Sequence, residues 1–129
     1  RYSRKRKPKE GIQIIQTFIK YAPEAPQMMD RLGCLPIDKA FWVSLDVVTF
    51  LIESYPESVK VTDNHGRSPL HFVLIFRMYS FRIESYHLPL HALELLNCLI
   101  ESYPEGIDKK DEDDETPLDL LKQFAMVLE

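Results

Sequence analysis

The chain has little of what phosphate, metal or redox chemistry is usually built from. Its 129 residues include four glycines, two cysteines, four histidines and one tryptophan. The glycines are scattered, so no loop can cradle a phosphate. Cys34 and Cys98 lie far apart and form no CxxC pair, which argues against a zinc or redox motif and for two free thiols in a reducing compartment. His87 and His91 have a spacing that can place two imidazoles on one helical face, but Pro89 between them opposes regular helix and no third ligand is evident. The acidic stretch 107–115 lacks the alternating ligands and the glycine of a calcium loop. No nucleophile–base arrangement stands out. No apolar run approaches the roughly 18 residues of a membrane span, and no signal-peptide pattern is seen. The expectation is an intracellular protein, cytoplasmic or nuclear, that is not an enzyme and has no cofactor, no metal and no membrane span.

What is present suffices for a packed domain, since 45% of the residues are apolar. Charge is divided unevenly. Six of the sixteen basic residues lie among the first nine, which contain no acid, so the remainder sets ten basic residues against twenty acids. Residues 1–10, with Arg4, Lys5, Arg6 and Lys7 at their centre and Pro8 interrupting them, read as a basic extended arm. Such an arm suits nuclear import or phosphate contact, or is simply a solvated tail.

The remaining chain is repetitive. Asp63-Asn-His-Gly-Arg-Ser-Pro-Leu-His71 has a weaker copy 33 residues upstream, Asp30-Arg-Leu-Gly-Cys-Leu-Pro-Ile-Asp38, and another 48 residues downstream, Asp111-Glu-Asp-Asp-Glu-Thr-Pro-Leu-Asp119. Gly33 and Gly66 stand where a tight turn needs positive φ, a place that Asp114 takes in the third copy. Ser68 and Thr116 are placed to cap a helix that Pro69 and Pro117 begin, whereas Leu35 has no hydroxyl to offer. A second echo alternates with the first: Leu51-Ile-Glu-Ser-Tyr-Pro-Glu57 recurs as Leu99-Ile-Glu-Ser-Tyr-Pro-Glu105 and loosely as Phe18-Ile-Lys-Tyr-Ala-Pro-Glu24. These read as ends of second helices, each stopped by proline.

Together the two motifs resemble the ankyrin repeat, whose signature is an Asp/Gly turn followed by Thr-Pro-Leu-His-x-Ala. The matching stretches are Leu35-Pro-Ile-Asp-Lys-Ala40, Ser68-Pro-Leu-His-Phe-Val73 and Thr116-Pro-Leu-Asp-Leu-Leu121, and only the middle one keeps the histidine. The resemblance implies an all-α helix-turn-helix solenoid with hairpin-like loops between repeats. It also implies that His71 hydrogen-bonds the backbone of neighbouring turns.

On this reading the repeat domain covers 11–129: a half repeat 11–29, a repeat 30–62, a repeat with an insertion 63–110 and a half repeat 111–129. Ile12, Ile15, Phe18 and Ile19 form the apolar face of a second helix whose first helix is missing, and Met28 and Met29 read as cover for the core. In the next repeat a helix from Pro36 to about Val43 precedes one from Leu45 to Ser54, capped by Ser44, with Leu45, Val48, Leu51 and Ile52 inward. In the long repeat a helix from Pro69 to about Met78, an inserted loop 79–88 and a helix from Pro89 to Ser102 are expected. In a competing register Phe81-Arg-Ile-Glu-Ser-Tyr86 echoes Phe50-Leu-Ile-Glu-Ser-Tyr55 and Leu88-Pro-Leu-His-Ala92 echoes a repeat start, which makes two eroded repeats joined with no hairpin between them. Pro89 to Pro104 is short for two packed helices, which favours the insertion. The last helix carries Leu118, Leu121, Phe124 and Leu128 without a partner, so more chain or a partner protein is expected beyond both ends.

By resemblance, a partner protein lies against the concave face and the loop tips. Carried over by position, the helix sites are Lys39 and Trp42, then Phe72, Ile75 and Phe76, then Gln123, with His65 and Asp113 at the tips. The expected function is a protein-protein interaction module or scaffold. Alternatives are a nucleic-acid-associated regulator using the basic arm and the targeting segment of a larger enzyme.

Overall fold

Three aspartates close three turns of one design. One carboxylate oxygen of each of Asp30, Asp63 and Asp111 accepts from the N–H groups two and four residues on, at 2.8 to 3.0 Å. The aspartate's own N–H donates to the carbonyl four residues on, at 2.9 Å in all three turns. This double closure forces the fourth residue into the left-handed region, with φ of 79° at Gly33, 75° at Gly66 and 64° at Asp114. Glycine adopts that conformation without steric cost and aspartate does not.

The computed structural model describes residues 8–40, 44–82 and 92–128. Each turn delivers the chain to a proline that opens a helix. The helices are α1 (Pro8–Tyr21), α2 (Pro36–Ala40), α3 (Leu45–Ser54), α4 (Pro69–Arg82), α5 (Ala92–Ser102) and α6 (Pro117–Leu128). Short 3₁₀ turns follow α1, α3 and α5, at Ala25–Gln27, Pro56–Lys60 and Pro104–Asp108. No strand occurs among the described residues. Ser68 Oγ and Thr116 Oγ1 accept from the N–H groups of His71 and Asp119, at 3.4 and 3.0 Å, as helix caps do. Leu35 has no hydroxyl; instead the Asp38 carboxylate reaches back to accept from the Leu35 N–H at 2.9 Å.

The packing is all-α and stacked. Helices α2, α4 and α6 lie side by side in one layer, here termed inner, and α1, α3 and α5 in a second, outer one. Residues from both layers meet in a single core that includes Ile37, Val48, Leu51, Val73, Leu74 and Leu99. This arrangement is that of a helical solenoid in which each pair of helices packs on the next. The turns stack as well. Asn64 N–H donates to Leu32 O at 2.9 Å and Glu112 N–H to His65 O at 2.8 Å, while the Asn64 amide donates to Arg31 O at 3.0 Å.

Several boundaries differ from those read in the sequence. Residues 8–10, assigned to the extended arm, are the first turn of α1, because proline at the first helical position loses no hydrogen bond. Helix α4 runs through Arg82, so 79–82 are helical and not the start of an inserted loop. The choice between insertion and eroded repeat falls on 83–91, outside the described residues, as does the start of the helix placed at Pro89. Helix α3 has the expected bounds and cap, Ser44 Oγ accepting from Val47 N–H at 3.2 Å. Val47, not singled out in the sequence, is buried while Leu45 and Ile52 are only half-buried. Phe18, expected on the buried face of α1, is exposed, and Met28 and Met29 are exposed rather than covering the core.

Candidate functional site

Helix α1 buries one stripe only. Ile12, Ile15 and Ile19 pack on the core, but no described inner-layer helix stands beside α1 as α2 stands beside α3. The unoccupied flank is an apolar groove of ≈ 550 Å³ between α1, the Ala25–Gln27 turn with the segment after it, and α2. Phe18, Met28 and Met29 form its exposed lip, and Leu35, Ala40 and Val47 its buried floor. Exposed large apolar side chains gathered in one place mark an interaction site more reliably than the same residues scattered singly.

The charged residues of the groove are paired with each other. Lys39 Nζ lies 2.7 Å from Asp30 Oδ2, and that contact, helped by the N–H groups of Cys34 and Leu32, holds the Asp30 carboxyl below the usual carboxylate range. The same bond raises Lys39. Burial raises the Cys34 thiol at the groove floor, with nearby carboxylates adding to it, which favours the neutral form. The groove therefore offers shape and apolar area with a polar rim already satisfied. That suits an apolar side chain or helix face.

Of the residues singled out from the sequence, those described stand on α2, α4, α6 and the turn tips. Lys39 is at the groove rim. Phe72 is half-buried on α4 beneath the Arg67 guanidinium, 5.0 Å from its ring centre, and Arg67 is anchored in turn on Asp63 at 3.0 Å. Ile75 is half-buried against the core. Phe76 lies on α4, but its side chain is outside the described ones, and Trp42 and the arm residues Arg4, Lys5, Arg6 and Lys7 are outside the described residues altogether, with His87 and His91. At the turn tips, exposed His65 is bonded to Glu112 through Nδ1, at 2.5 Å, while Asp113 is exposed. Gln123 is exposed and donates to the Glu115 carboxylate at 2.7 Å. Among the described residues no group of three His, Cys, Asp or Glu is placed to hold a metal, and no helix is long and apolar enough to cross a membrane.

Phe18 was missed as a surface residue because apolar spacing on a helix looks the same whether a partner helix covers it or not, and Met28 and Met29, in the extended segment after the Ala25–Gln27 turn, were read from their apolar character alone. The available clue was the unmatched second helix itself: an outer helix without its inner partner must expose the face that partner would cover. No family model matches the chain, and no curated protein is significantly similar to it.

Proposed function

We propose that the chain is a non-catalytic protein-interaction module of ankyrin type, which takes an apolar helix of a partner into the groove between α1 and α2. The observation that carries this reading is the groove's lining: apolar residues apart from Asp30 and Lys39, which satisfy one another. A helix laid there with residues at i, i+3, i+4 and i+7 facing Phe18, Met28 and Met29 would bury apolar area on both partners and leave no charge unpaired. Support for the repeat type comes from the three Asp-closed turns, the positive φ at their fourth residue, the prolines opening α2, α4 and α6, and His71 bridging to the next turn. The free thiols of Cys34 and Cys98 fit an intracellular setting, cytoplasmic or nuclear.

The test is a selection of displayed helical peptides on the folded chain, repeated on Phe18→Glu/Met28→Glu. Enriched peptides should carry one apolar stripe and bind the double variant at least ~10-fold more weakly, as loss of a buried hot spot does. Equal binding to both proteins, or no enrichment on the parent chain, would overturn the reading.

A further inference from the structure

Asp38, His71 and Asp119 hold the same place in the three repeated units, each eight residues after the aspartate that closes its turn. In all three, one side-chain atom accepts the N–H of the residue three before it. Asp38 Oδ2 takes that of Leu35 at 2.9 Å, His71 Nδ1 that of Ser68 at 3.2 Å and Asp119 Oδ2 that of Thr116 at 3.0 Å. At His71 a second atom is also used. Its Nε2 bonds the Glu115 carbonyl at 3.0 Å, which accepts the Asp111 N–H as well, at 2.9 Å, so that α4 is tied to the turn that follows it. One unit earlier, the carbonyl equivalent to that of Glu115 belongs to Arg67. It accepts the Asp63 N–H at the same 2.9 Å and has a second lone pair to offer. The Asp38 atom left over for it, Oδ1, is buried and has no partner among the described residues.

An ionised carboxylate has no hydrogen to give a carbonyl, and burying its second oxygen unpaired is costly. A protonated carboxyl is a donor, as the histidine Nε2–H is. The surroundings of Asp38 favour the proton. It is 6% exposed, and burial first, then the Asp63 and Asp30 carboxylates, push its carboxyl up to about 7 against the Leu35 N–H and Arg67. Around it stand Asp30 and Cys34 of the first turn, Lys39 on α2, and Asp63 and Arg67 of the second turn. The two cations are already engaged, Lys39 with Asp30 at 2.7 Å and Arg67 with Asp63 at 3.0 Å. On α4, His71 is held by Ser68 and Glu115; Asp46 and Glu53 of α3 are exposed, and the Ala25–Gln27 turn carries no charge. Asp119 makes the corresponding bond at a half-buried place, and there the Thr116 N–H and hydroxyl hold the carboxyl below its usual range.

We infer that Asp38 is a proton-operated latch between the first two turns. With its proton it donates from Oδ1 to the Arg67 carbonyl and holds α2 to the second turn; when the proton passes to water, that tie is lost. Helix α2 has five residues, too few to persist unsupported. The bonds from Asn64 to Leu32 and Arg31 remain at the turn tip, so what loosens is α2 and not the tip. Because the folded-state value is raised, the latch is closed in mild acid and opens as pH rises through about 7. It needs no occupant in the groove, although Leu35 and Ala40, on the groove floor, move with it.

Nuclear magnetic resonance of the 129-residue chain from pH 5 to pH 8 tests this. The Asp38 side-chain carboxyl carbon should titrate with a midpoint of about 7, and the Arg67 carbonyl carbon should shift with the same midpoint as its second hydrogen bond is lost. Over that range hydrogen exchange at the α2 amides, taken as the ratio of parent to Asp38→Asn, should quicken by about 10-fold or more. The amides of α6, which opens without disturbing Asp38, should keep a constant ratio. Asp38→Asn has an amide hydrogen where the proton would be, so its Arg67 signal should not titrate. An Arg67 carbonyl that stays still while Asp38 titrates overturns the latch, as does an Asp38 midpoint of about 4. A rise in exchange of the same size in α6 overturns it too, since the domain would then be loosening as a whole. Should Asp38→Asn fail to fold, the two carbon titrations of the parent decide alone.

Discussion

The imidazole of His71 joins two turns by bonding the carbonyl of Glu115, 44 residues away, through Nε2 at 3.0 Å. Its other nitrogen, Nδ1, accepts from the Ser68 N–H at 3.2 Å, which fixes the tautomer with the proton on Nε2. The ring is wholly buried, so these bonds satisfy nitrogens that water does not reach.

His71→Ala should accordingly be among the most damaging single changes in the domain. It strands the Ser68 N–H and leaves a void in the inner layer. The expected loss is about 2 to 4 kcal/mol, combining a buried unpaired donor with a cavity. Urea unfolding followed by circular dichroism measures it. A loss below about 1 kcal/mol would show that the bridge contributes little beyond the turn's own bonds.

Asp38 holds in α2 the place that His71 holds in α4, and the difference is a matter of hydrogens. A histidine Nε2–H donates to the carbonyl of the next turn, whereas a carboxylate can only accept. Asp38 is buried; its Oδ2 takes the Leu35 N–H, and its Oδ1 has no partner among the described residues. Burial is the largest cause raising its carboxyl, to about 7, with Asp63 and Asp30 adding to it and the Leu35 N–H opposing. Because the folded-state value lies above the unfolded one, Asp38's contribution to stability is complete below about pH 4 and declines as pH rises to about 7, by up to about 4 kcal/mol. Asp38→Asn keeps the shape and removes the titration. The difference in unfolding free energy between parent and variant should therefore shift in the variant's favour from pH 4 to pH 8, and a difference independent of pH would refute this account. Asp38→His should gain the missing turn-to-turn bond as well.

Asp114 is the described non-glycine residue with positive φ, at 64°, and it stands where the other turns have glycine. Its exposed ion pair with Lys110, at 3.1 Å, offsets little of the strain. Asp114→Gly should stabilise the domain by about 0.5 to 1 kcal/mol, seen as a higher urea midpoint at unchanged slope. Gly33→Ala should do the opposite. Its added Cβ would lie 2.6 Å from the Asn64 side-chain oxygen, and the Asn64 amide ties the Asp63 turn to Arg31.

How much of this was legible in the sequence depends on the range of the cause. The turns and caps could be read because Asp, Gly, Ser, Thr and Pro act on backbone groups within four residues of themselves, and the bounds of α3 followed from Ser44 and Pro56. The end of α4 could not, because neither Gly nor Pro stands between Pro69 and Pro89 to stop a helix. The 3₁₀ turns after the helix-ending prolines were not anticipated either. The groove was hidden for a different reason. Apolar periodicity tells that a face wants burial, and only the arrangement of neighbouring helices tells whether it is buried.

That distinction can be measured at two positions of the same register. Leu51 and Phe18 occupy equivalent places on α3 and α1, the first in the core and the second at the groove lip. Leu51→Ala removes packed volume from between the layers and should cost about 2 to 5 kcal/mol. Phe18→Ala removes a larger side chain but one already in water, and should cost less than about 1 kcal/mol in dilute solution. Urea midpoints of the parent and the two variants measure both losses. Equal losses for both substitutions in dilute solution would mean that the face of α1 bearing Phe18 is covered within the single chain, and the groove would then be part of the core.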